Sequence, residues 1–236
     1  MRYPSFVSVG PTSCVISLVL GLTPTLARSQ SSAVVDEGTF TVTQKGAPLG
    51  RESFRIIRAP APGGQVYLAT GTSVLGDTKV TTRLGTDSTG VPVSYESDLI
   101  EKGEVVHRLR GRGRPGRLSA LTQTKTGETA REYVLSNGAL LMDEDVFHHF
   151  FFVPLTVGHA QLNVIAPRIG RQTRFQLEAK SEDTVDIAGR SIPARHFALT
   201  GPSGALREVW IDEKGRLLKV AEPERGLLAL RDDPPR

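Results

Sequence analysis

The chain has 236 residues, of which 39% are hydrophobic, 23% charged and 6% aromatic, and its formal net charge is +4. That length supports one sizeable core, and the chain holds no repeat and no low-complexity block. The single cysteine, Cys14, excludes a disulfide framework.

The first residues read as an export signal. Arg2 is the only charge before Arg28, and the first acid is Asp36. The apolar core between them, "CVISLVLGL", is too short to span a bilayer. Thr25 and Ala27 fit a small-x-small peptidase pattern, and Ser31 and Ala33 are a second candidate. This predicts a signal peptide over 1–27, with cleavage as late as 33, and a periplasmic or secreted mature protein; retention of the segment as a membrane anchor is the alternative. Cys14 precedes the apolar core, where a lipoprotein cysteine would follow it, so it is expected to leave with the signal. No later apolar run is long enough to span a membrane. Loss of Arg2 gives 4 − 1 = +3 for the mature chain, a balance compatible with an anionic membrane surface. Export argues against a nucleic-acid partner.

From residue 34 to 230 the pattern predicts one β domain, with a polar tail, 231–236, expected to fray. Turn signals recur about every ten to twelve residues. "GTFTVTQ" places Phe40 and Val42 on one face, and "RESFRIIRA" does the same with Phe54 and Ile56. "QVYLATGTSVL", "TKVTTRLGT", "VSYESDLIE", "EVVHRLRGR", "RLSALTQTK" and "AREYVLS" continue the series. Short connections such as "GD", "KG" and "TGE" require sequential antiparallel pairing, because parallel strands need long crossovers. After Ser136 the rhythm breaks. "NGALLMDEDVFHHFFFVPL" has no glycine or proline from Ala139 to Val153, which predicts a short helix or lid near 143–153, capped by Asp143 or Asp145. Strands resume with "AQLNVIAP", "TRFQLEAKSEDTVDIA", "RSIPARHFAL", "ALREVWID" and "RLLKVAE".

The C-terminal stretch "DIAGRSIPARHFAL…REVWIDEKGRLLKVAEP" resembles exported bacterial β-proteins of unknown function related to the lipoprotein-carrier fold. The matching positions are Gly189, Ala194, Phe197, Trp210, Asp212, Gly215 and Arg216, with Gly46 and Gly50 in a similar first hairpin. The resemblance covers about a third of the mature chain and its motifs are structural. It implies an antiparallel meander curved into an open half-barrel, whose concave face shelters acyl chains under a helix or loop. It transfers no catalytic residue.

Several stretches carry residues suited to chemistry. "GRGRPG" (111–116) matches the dinucleotide fingerprint in letters only, since a strand and not a helix follows it. Arg108, Arg110, Arg112 and Arg114 recur at period two, which aligns them on one strand face as a contact for anionic surfaces; a solvated face paired with nearby acids is the alternative. Ser203 in "TGPSGAL" lacks the strand–helix context of a nucleophile elbow.

"DEDVFHHFFFVP" (143–154) is the densest patch. His148 and His149 are adjacent and diverge on any regular element, so a shared ion is disfavoured; Asp145–His149 and Glu144–His148 are the i,i+4 pairs that a helix would form. Neither a metal nor another cofactor is expected, with His148, His149 and Asp145 as the weak metal candidates. Phe147, Phe150 and Phe151 would form one apolar stripe on a helix. They, with Trp210, are the candidate ligand contacts; for the phenylalanine segment, core packing alone is the alternative. Two function classes follow: a non-enzymatic half-barrel that binds a lipid or acylated ligand, and a metal-assisted hydrolase around His148 and His149. An envelope scaffold is a third, and no reaction is favoured.

Overall fold

A computed structural model describes residue 1 and residues 31–62 and 64–236. The expected signal segment lies outside the described residues apart from Met1. Eight strands, β1 (Ala33–Gln44), β2 (Ala47–Ala61), β3 (Gly64–Leu75), β4 (Thr78–Asp87), β5 (Pro92–Glu101), β6 (Glu104–Arg114), β7 (Arg117–Thr124) and β8 (Gly127–Val134), form the antiparallel meander that the alternation and short turns dictate. The second half holds β9 (Ala139–Leu141), β10 (Gln161–Ala166), β11 (Arg171–Ala179), β12 (Asp183–Ile187), β13 (Arg190–Thr200), β14 (Leu206–Ile211), β15 (Leu217–Glu222) and β16 (Leu227–Arg231). β1 pairs with β16, so the two halves are one continuous sheet running from β8 at one edge to β9 at the other. It is mainly β and unclosed, an open half-barrel.

Three details depart from the sequence pattern. β9 and β10 pair in parallel, with 3₁₀ segment His148–Thr156 inside their crossover. The run from Thr173 to Ala188 is two strands: β11 belongs to the main sheet, whereas β12 folds back onto β13 outside the sheet's path. Sequence-distant pairing makes β16, which continues to Arg231, the first residue of the expected tail.

Arg231 is buried at the junction of the halves. Its guanidinium donates to Asp36 Oδ1 (2.7 Å) and to the Leu217 carbonyl (2.9 Å), while Asp36 Oδ2 accepts the Leu217 N–H at 2.8 Å. Burial pushes the Asp36 carboxyl up from its usual range, and Arg231 opposes that rise. The opposite seam uses side chains in place of a ladder. The Gln172 amide bonds both the Val134 N–H (3.1 Å) and the Val134 carbonyl (2.7 Å), and Arg131 donates to the Gly170 carbonyl at 2.7 Å.

The inward faces of the sheet carry one large core. A second, smaller cluster of Val185, Ile187, Ala194, Trp210 and Leu218 lies on the other face, beneath β12.

Candidate functional site

The segment 143–156 fills the concave face as a plug. It is not the capped helix that the sequence pattern predicts. Asp145 sits at φ +61, a left-handed value that interrupts helical backbone, and only from His148 does a 3₁₀ helix run to Thr156, with Pro154 inside it. Its N-terminal residue Phe147 supplies no side-chain cap. The i,i+4 pairs therefore do not form: Asp145 instead accepts from Arg225 at 2.6 Å. Phe147, Phe150, Phe151 and Phe152 are all buried, so the segment is apolar all round rather than striped. Tyr67 meets Phe151 and Phe152 edge-on, at centroid distances of 6.0 and 6.1 Å.

Under the N-terminal end of the plug the barrel floor is polar. Period two turns Glu52 inward beside Phe54 and Ile56, Thr82 beside Leu84, and Tyr95 and Ser97 beside Leu99. The register sets Glu52 opposite Ser73, and Thr82 opposite Ser97. Glu52 is fully buried and caps the plug from another strand. It accepts the Phe147 N–H (2.7 Å) and the His148 N–H (3.4 Å), and His148 Nδ1 donates to the same carboxylate. These are the backbone donors that a helix start leaves without intrahelical partners. The other ring nitrogen, Nε2, lies 3.4 Å from the Thr82 hydroxyl. Gly71 makes the imidazole's seat, because a Cβ there would collide with the His148 ring.

His149 turns the other way. Its ring stands 4.6 Å from that of His148 and edge-on to Tyr95 at 5.6 Å. The Asp143 N–H points to its Nδ1 at 3.5 Å, and its Nε2 has no partner among the described residues. Burial, with the neighbouring His148 and Arg168, holds the His149 imidazole well below its usual range. Asp143 accepts the Tyr95 hydroxyl (2.7 Å) and the Arg168 N–H (3.1 Å), and the Arg168 guanidinium stands 4.0 Å from it. Burial outweighs these contacts and pushes the Asp143 carboxyl up to about 6. Burial and the adjacent Asp143 push the Tyr95 hydroxyl well above 10.

His148 and His149 thus address separate partners. Among the described residues, no three His, Cys, Asp or Glu side chains converge in a group able to hold a metal ion. Glu52, His148 and Thr82 form an acid–imidazole–hydroxyl relay in outline. His148 belongs to the plug, however, so the relay exists only while the plug closes the site.

Trp210 does not join the phenylalanines. Val209 and Ile211 face the main core, and period two turns Trp210 to the opposite face. There it stacks on His196 at 4.3 Å, lies beneath Lys219 at 3.9 Å, and donates to Asp183 at 2.8 Å. The four arginines of β6 do share the outward face expected of them. The fold sets acids among them: Asp98 chelates Arg108 through two bonds of 2.8 Å, and Glu96 lies opposite Arg110. No ion pair engages Arg110, Arg112 or Arg114 among the described residues.

The pattern hid Glu52, Thr82, Ser97 and Tyr95 as site residues, although one signal was present. Glu52 shares strand parity with Phe54 and Ile56, which makes it a charge on a buried face.

No family model matches the chain, and no curated protein matches it. Among solved structures, the chain is similar to a β-barrel-like protein of a domain of unknown function, DUF1849, from Brucella abortus. The identity is 10% and the TM-score 0.50, over 83% of this chain and 94% of that one. At that identity the similarity speaks to the fold alone.

Proposed function

We propose that the protein is an exported, non-enzymatic binding module of the lipoprotein-carrier type, whose concave face takes a hydrophobic or amphiphilic ligand such as an acyl chain when the 143–156 plug leaves it. One observation carries the reading. The most aromatic segment of the chain occupies the concave face, and it is seated through a buried carboxylate–imidazole contact rather than by apolar packing alone. A buried carboxylate–imidazole hydrogen bond fixes a position more than it adds net stability, which suits a segment with two places to be. Release of the plug would bare the core residues it packs on, Phe54 and Tyr67 among them, a face too apolar to stay wet without a ligand. The arginine row on β6 would orient the module toward anionic lipid headgroups.

The paired test is thermal unfolding and titration with a fluorescent acyl-chain probe, on the parent protein and on Phe151→Ala. The expected result is saturable probe binding by the parent that Phe151→Ala strengthens. A parent that binds no probe, with a variant that is only destabilised, would leave a packed β domain acting as a scaffold. Unchanged stability in chelator and a metal-free purified protein are expected, and the opposite would favour a metal-assisted hydrolase.

A further inference from the structure

We propose a second ligand site outside the plug's seat: the cleft between β10, β11 and β14, which takes a short single-chain amphiphile with an anionic head. The cleft has a volume of about 270 Å³ and is open while the plug is seated, so the proposal does not depend on plug release. At the ~30 Å³ that a water-sized group occupies in a liquid, it holds roughly nine non-hydrogen atoms, so the end of a longer tail lies outside the open cleft. One wall is apolar, built from Val164 of β10, Phe175 of β11, Pro202 and Ile169, which is 41% exposed.

Arg207 gives the cleft its specificity. Strand parity puts it on the same face of β14 as the core residues Val209 and Ile211, a position where the pattern calls for an apolar side chain. It lies over the Phe175 ring at 5.1 Å and the Phe150 ring at 6.0 Å. These rings hold the planar guanidinium in place. No carboxylate pairs with Arg207 among the described residues, and the same is true of Arg171 across the cleft. Two cations face one acid, Glu144. A half-buried guanidinium fixed between aromatic rings, with its donors uncommitted and an apolar wall beside it, fits a carboxylate or phosphate head with a short tail.

The test is calorimetric titration of the purified protein with octanoate and with octyl phosphate, against 1-octanol and octylammonium as controls. Both anions should bind saturably and the neutral and cationic controls should bind at least about tenfold more weakly, since a charge-assisted hydrogen bond is at stake. The stronger anion identifies the preferred head group. Arg207→Ala should weaken anion binding by about tenfold with the melting transition retained. Glu144→Gln should strengthen it severalfold, because it removes the like charge and leaves the backbone carbonyl that Arg168 uses. Equal affinity for octanol and octanoate, unchanged affinity in Arg207→Ala, or no saturable binding of either anion would overturn the proposal. Failure of the plug reading would leave these outcomes unaffected, because that reading is tested at Phe151 with a long-chain probe.

Discussion

The two halves of the sheet meet the plug with opposite chemistry. The C-terminal half presents Val209, Ile211, Leu217, Val220, Leu227 and Ala229, a wall that is apolar but for Arg207 over the Phe150 ring. The N-terminal meander presents Glu52, Ser73, Thr82, Ser97 and Tyr95 among its apolar residues, and the Oγ atoms of Ser73 and Ser97 have no partner among the described residues. The wall is expected to supply most of the burial energy, at about 25 cal/mol per Å² of apolar area. The floor fixes where the plug's first turn sits. Apolar contacts tolerate sliding; a carboxylate that accepts two backbone N–H groups and an imidazole does not.

The largest expected effect tests the wall. Phe150→Ala should cost about 3 to 5 kcal/mol in denaturant unfolding, as a large cavity in a packed core does. A loss below 1 kcal/mol would mean that the segment rests on the sheet without being part of its core. Next comes the floor. Glu52→Ala should cost about 3 kcal/mol, because it strands a buried imidazole and the Phe147 N–H. Combining it with His148→Leu should recover part of that loss, and strict additivity in this double-mutant cycle would show that the two side chains are not coupled.

A third prediction uses pH to separate groups within the floor. His149 titrates below its unfolded range, so its stabilisation is present above about pH 6.5 and is lost as the pH falls. Half-exposed His107, also lowered by burial, acts in the same direction. Asp143 has the opposite sign. Its carboxyl is raised to about 6, so its stabilisation is present at low pH and is lost as the pH rises through 6. Between pH 6.5 and 5 the parent should therefore lose stability with a shallow slope. Asp143→Asn should steepen that slope, by at most about 1.4 kcal/mol per pH unit. Unfolding measured at three pH values checks this, and a shallower slope in the variant would reverse the assignment. Tyr95→Phe removes a donor from Asp143 and should cost about 1 kcal/mol while raising the Asp143 titration further, as followed by NMR. The smallest effect lies outside the comparison: Arg112→Ala, on the solvated face, should change stability by less than about 0.5 kcal/mol.

Much of the meander was legible residue by residue. Phe40 and Val42, or Phe54 and Ile56, alternate with polar neighbours, and alternation of period two is a local property that survives into the fold. The short turns between β1 and β8 left antiparallel pairing as the available geometry. The aromatic load of 147–152 marked the plug for the same reason, since composition alone says that it must be buried. Tertiary structure decided the rest, because each remaining feature joins residues distant in the chain. β1 meets β16 across the sheet, and Arg231 finds Asp36 at a separation of 195 residues. Glu52 caps a turn 95 residues away, which overrides the local helix signal at Asp143 and Asp145. Trp210 faces away from the plug because β12 covers the outer face, and no periodicity in β14 records which of the sheet's two faces will be inside.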